Sequence, residues 1–248
     1  MIQEKSFHLV SLGCAKNSVD SESMAQVLGR EGYQSLEAPD RAEFLIVNTC
    51  GFIGPAKDES YQVLQELAED KESGQWLIAA GCLSQRYGSE VIERVPGIDG
   101  ILGTRRWMDV MTLVSKIREN KSPEPIYHIP ENALTVGQDE GDILRISHQG
   151  PSAYIKIADG CRRPCAFCAI PLIKGTLVRR PMEAILAEAE ILQEAILVAE
   201  ELLDVLTAEQ AKYENTDETG NTVEDLAKDL IAELESRKDS LVRQATSQ

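Results

Sequence analysis

The chain has 248 residues, 43% of them hydrophobic and 27% charged, which is enough for one or two domains of roughly 150 residues with a buried core. Its 25 basic residues against 41 acidic ones leave a formal charge of −16, which argues against direct nucleic-acid binding through bulk charge. No run approaches the roughly 20 apolar residues of a membrane helix, and the opening MIQEKSF lacks the basic-then-apolar order of a secretory leader, so the expected location is the cytoplasm.

Three apolar runs open the chain, and each ends on a cysteine: FHLVSLGC at Cys14, FLIVNTC at Cys50 and LIAAGC at Cys82. Short apolar runs of this kind read as buried parallel strands. A helical pattern follows each, over residues 18–30, 55–72 and 83–95, the second opened by Pro55, which suits a first helical turn. The spacing between successive cysteines is that of one strand, one helix and their loops, so the region predicts a βαβ series. Ligands of such sheets gather at the carboxyl ends of the strands, the edge from which all three cysteines would project. Gly13, Gly51 and Gly81 adjoin them and permit close backbone approach. Position alone leaves two readings open: one shared site, or three small residues buried at strand ends.

Residues 120–150, rich in Pro, Gly and charge around the apolar stretches IYHI and ILRISH, read as a domain connection with a small hairpin. His8 and His128 lie in strand-like patterns and read as structural. The pairs Arg105-Arg106 and Arg162-Arg163 read as solvated side chains more than as phosphate contacts. Residues 153–158 alternate as a strand should, and GCRRPCAFCAIP follows. Three disulfides from six cysteines would suit a small secreted chain, which this is not. Cys161, Cys165 and Cys168 have no fourth cysteine beside them, and the nearest histidine, His148, lies well upstream, so tetrahedral zinc would be left incomplete. Thiolates at such short spacing suit an iron–sulfur cluster, and three of them leave one iron open.

From residue 190 the composition changes: 15 acidic residues stand against 5 basic ones, with no cysteine or proline. Ile191, Ala195, Val198, Leu202 and Val205 have helical spacing, and Thr222 with Asp225 predicts the start of a second helix after a turn at 215–221. The tail reads as an extension whose helices merely follow its composition, or as an acidic partner-binding hairpin.

CRRPCAFC, with Phe167 in the aromatic position, resembles the C-x3-C-x-aromatic-C motif of radical S-adenosylmethionine enzymes. SLGCAKNSVDSE, NTCGFIGPAKDES, GCLSQRY and ADGCRRPCAFCAIPLIKG together resemble the methylthiotransferases of that superfamily, in family order over about residues 6–190. The branch they resemble most adds a methylthio group to an aspartate β-carbon in the twelfth small-subunit ribosomal protein. The resemblance implies two 4Fe-4S clusters, one on Cys14, Cys50 and Cys82, the other on Cys161, Cys165 and Cys168. It implies that S-adenosylmethionine binds the open iron of the second cluster near Phe167, and that an electron donor reduces it. Alternatives are a tRNA methylthiotransferase and a non-catalytic iron–sulfur remnant that binds a protein partner.

The expected fold is α/β. A flavodoxin-like parallel-sheet methylthiotransferase domain (1–120) is followed by a connecting hairpin (121–150), the start of an incomplete radical-enzyme (β/α) barrel with its cluster loop (151–190), and an acidic helical tail (191–248). Because the resemblance fades near residue 190, where the family continues its barrel and a small β domain, the expectation is a truncated chain with impaired catalysis.

Overall fold

The computed structural model describes residues 2–120, 122–130, 140–149, 152–163 and 165–195. The helix expected at 222 and the turn at 215–221 lie outside them. The chain divides into two compact units, Met1–Pro181 and Met182–Gln248. In the second, residues 182–195 are helical. No helix among the described residues is long and apolar enough to cross a membrane.

The first unit is built on a six-stranded sheet. Its strands are β1 (Gln3–Ser11), β2 (Gln34–Ser35), β3 (Ala42–Thr49), β4 (Trp76–Gly81), β5 (Gly100–Gly103) and β6 (Ile126–His128). Their order is β2-β1-β3-β4-β5-β6, and every pairing is parallel. The run 2-1-3-4-5 is the flavodoxin-like order expected from the sequence, with its direction reversing between β1 and β3.

Four helices connect these strands: α1 (Ala15–Arg30), α2 (Gly54–Asp70), α3 (Cys82–Arg94) and α4 (Val110–Glu119). The central strand β3 is buried along its whole length and shows why both faces must be covered. Phe44 and Ile46 join Met24 and Leu28 of α1 and Leu113 of α4 in one core. Leu45 and Val47 join Leu64 of α2 and Leu83 and Val91 of α3 in the other. A continuous apolar strand thus supplies two cores through its period of two.

Two local expectations are corrected. α1 begins at Ala15, directly after Cys14 and earlier than Ser18, because the Cys14 carbonyl already accepts the N–H groups of Asn17 and Ser18 at 2.8 and 3.2 Å. In the stretch read as a connection with a small hairpin, the antiparallel pair lies later than expected and IYHI takes no part in it. Ile126–His128 pairs in parallel with β5 as the sixth sheet strand, and Ile146–Gln149 (β7) pairs antiparallel with Ser152–Ile155 (β8). A three-residue apolar run carries no information about which strand it will join.

The stretch 153–158, read as one strand, is divided. β8 ends at Ile155, and Ala158–Asp159 (β9) pairs antiparallel with Val178–Arg179 (β10). Between them lie the cysteine loop and a short helix, α5 (Ile170–Lys174). His8 hydrogen-bonds the Leu36 carbonyl at 2.9 Å and His128 contacts Asp109 at 2.6 Å, both structural uses. Arg105 donates to the carbonyls of Leu172 and Ile173 at 2.8 and 2.9 Å, and Arg106 forks onto Asp109. That basic pair is therefore engaged within the fold.

Candidate functional site

Cys14 lies just past the end of β1, Cys50 directly after β3 and Cys82 directly after β4. These three strands are neighbours, so the cysteines share the carboxyl edge of the sheet at its β1–β3 reversal, the position where such sheets bind ligands. The expectation that all three project from one edge is met by their strands' order.

Asn17, in the first turn of α1, ties the three turns together. Its side-chain amide donates to the Leu12 and Thr49 carbonyls, both at 2.9 Å, and its oxygen accepts from the Cys82 thiol at 3.5 Å. Asn48 holds Asn17 in turn, donating to its backbone carbonyl and to the Ser21 hydroxyl, each at 2.9 Å. Ser60 accepts from the Cys50 N–H at 2.9 Å. Gly13, at φ +93°, comes so close to the second turn that a Cβ there would lie 3.0 Å from the Cys50 sulfur.

Cys50 and Cys82 are buried whereas Cys14 is exposed, so the edge opens on the Cys14 side. Burial pushes the Cys82 thiol up to about 11. The Lys174 ammonium opposes that rise, while Asp20, Cys50 and Cys14 add to it.

Cys161, Cys165 and Cys168 occupy the loop between β9 and α5. The Cys161 N–H donates to the Gly175 carbonyl at 3.1 Å, closing the base of the loop. The Cys168 N–H donates to the Cys165 carbonyl at 3.1 Å, and the Arg163 N–H points at the Cys161 sulfur at 3.4 Å. An amide aimed at sulfur stabilises a thiolate. Cys165 is exposed and the other two are half-buried, while Phe167 stands 94% exposed beside them. Ala169 and Ile173 pack with Cys82, so the segment that follows the second group of cysteines closes over a member of the first.

Among the described residues, no three His, Cys, Asp or Glu side chains are gathered tightly enough to enclose a bare metal ion. The donors nevertheless fit an iron–sulfur cluster, which spans several ångströms and is held chiefly by cysteine thiolates. Each group offers three sulfurs on backbone turns, and the close Gly13–Cys50 approach is one that a larger residue would fill. Sequence reading missed Asn17 and Asn48. Nothing in the sequence marks either asparagine as buried, because their partners lie on other elements of the fold.

Residues 6–103 match the uncharacterized protein family UPF0004. Over 213 residues the chain is 43% identical to the ribosomal protein uS12 methylthiotransferase RimO of Chloroflexus aurantiacus, covering 80% of this chain and 47% of that one. The RimO proteins of Herpetosiphon aurantiacus (39% over 226 residues; 80% and 48% covered) and Bdellovibrio bacteriovorus (38% over 209; 82% and 45%) are similar to it as well. The chain spans about half the length of the curated relatives it matches.

Proposed function

We propose that this chain belongs with the RimO-like methylthiotransferases and serves the addition of a methylthio group to the β-carbon of an aspartate in the ribosomal protein uS12, in the cytoplasm. Cys14, Cys50 and Cys82 hold one 4Fe-4S cluster. Cys161, Cys165 and Cys168 would hold a second, with S-adenosylmethionine as its partner and Phe167 among the residues that would meet that cofactor. When bound, these groups supply the one-electron chemistry needed at a carbon whose C–H no side-chain base can deprotonate. The electrons come from a separate donor.

The protein's own residues position and shield. Asn17 and Asn48 fix the three strand-end turns, burial keeps water from Cys50 and Cys82, and the exposed Cys14 side leaves an entrance. In this reading the sheet domain, expected over 1–120, takes in its sixth strand at Ile126–His128, the rest of 121–150 is the connection, the cluster loop belongs to 151–190, and 191–248 is acidic in composition.

The observation that carries the reading is the gathering of three cysteines at one switch point, with the segment after the second group packed on Cys82. After anaerobic reconstitution, incubation with reductant, S-adenosylmethionine as methyl donor and hydrogen acceptor, inorganic sulfide as the sulfur source and recombinant uS12 is expected to replace one hydrogen of an aspartate by a methylthio group, detected by peptide mass spectrometry. Product on tRNA alone would reassign the substrate. Loaded clusters without product on either would point to the non-catalytic alternative.

A further inference from the structure

Asp20 lies on α1 and is completely enclosed, yet three cations converge on it: Lys156 at 2.6 Å, Lys174 at 2.7 Å and Arg145. Lys156 and Lys174 belong to the segment that carries the second cysteine group and Arg145 to the connection before it, all of them more than a hundred residues away. Lys174 also donates to Thr104 at 2.6 Å. Asp159 completes the arrangement, pairing with Lys156 at 3.0 Å and with Lys174 at 3.4 Å.

The placement of these groups matters. Asp159 stands two residues before Cys161, and Lys174 ends α5, the helix that follows Cys168. The Asp159–Lys174 pair therefore spans both ends of the cysteine loop, and Asp20 anchors that pair to the helix whose N-terminus adjoins Cys14. Burial alone would raise the Asp20 carboxyl, but the surrounding cations hold it well below the usual carboxylate range. Bringing this many charges out of water is expensive, and such a cluster is seldom the most stabilising filling for a core, so specificity of placement is the gain it offers.

We infer that Asp20 is a positioning residue: with Asp159, Lys156 and Lys174 it forms a buried ionic clasp that fixes the base of the Cys161–Cys168 loop against the sheet edge bearing Cys14, Cys50 and Cys82. The mechanical part stands on the geometry alone, and its role in setting two clusters rests on the function proposed above.

Hydrogen exchange on the full chain separates these parts. In Asp20→Asn, amides of residues 157–178 are expected to exchange at least about tenfold faster while β3 and β4 keep their protection, because unpaired buried cations open the loop locally. Should that variant fail to fold, Lys174→Met, which leaves Asp20 paired with Lys156 and Arg145, is expected to loosen the same residues to a smaller extent. Unchanged exchange in 157–178 in a folded variant would overturn the clasp.

A spectroscopic arm addresses the cluster. In a chain carrying Cys14→Ala, Cys50→Ala and Cys82→Ala, the electron paramagnetic resonance spectrum of the reduced, reconstituted second cluster is expected to broaden on adding Asp20→Asn. An identical spectrum despite faster exchange would overturn the positioning role. No cluster signal even with Asp20 intact, beside faster exchange in the variant, would remove the proposed function and leave the clasp standing.

Discussion

Gly81→Ala is expected to destabilise the chain by about 4 kcal/mol, a large share of the roughly 5–15 kcal/mol available to a domain. Gly81 ends β4 at φ +97° and ψ −155°, a conformation essentially restricted to glycine, and strain of this kind costs about 1–3 kcal/mol for another residue. The neighbouring strand adds to it. A Cβ at residue 81 would lie 2.4 Å from the Asn48 side-chain oxygen and 2.6 and 2.8 Å from the Thr49 carbonyl oxygen and nitrogen. Two of these atoms are backbone of the central strand and cannot swing aside, and the third belongs to the amide that holds Asn17. Urea unfolding measures the effect, and a loss below about 1 kcal/mol would contradict the close approach of the two strands.

Asn17→Ala is the second large effect. The side chain is 1% exposed and supplies a donor to each of two carbonyls, at the turns leading to Cys14 and Cys50. Its removal takes a donor from both acceptors, at about 1–3 kcal/mol each, so an overall loss of about 2–6 kcal/mol is expected. The functional consequence is more selective than the stability loss. Without Asn17 the three turns lose their common tie, and iron is expected to leave the Cys14, Cys50 and Cys82 group while the Cys161, Cys165 and Cys168 group keeps its own. Equal loss from both groups would mean that Asn17 acts only through global stability.

The cysteine framework was legible because its signals are local. An apolar run ending in a cysteine, followed by a helical period, fixes both a strand and the edge from which the cysteine projects, and three such repeats imply one sheet. What holds that edge together was not legible. Asp20 in α1 looks like any acid on a solvated helix face, and Lys156 like the outward member of an alternating strand. Their partnership spans 136 positions. Asn17 is similar, since its letter does not announce that two foreign carbonyls lie within reach. The placement of Ile126–His128 failed for a related reason: nearness in sequence favoured a hairpin, whereas the free edge of β5 offered a parallel partner. Phe167 was found by resemblance alone, and its exposure could not have been read from its neighbours.

The most direct test of two separate cysteine sites is iron and sulfide content per chain after anaerobic reconstitution, measured beside Cys14→Ala and Cys161→Ala. The account predicts about eight irons in the unaltered chain and about four in each variant, with the remaining cluster differing spectroscopically between the two. About four irons in the unaltered chain, abolished by one substitution and untouched by the other, would contradict it.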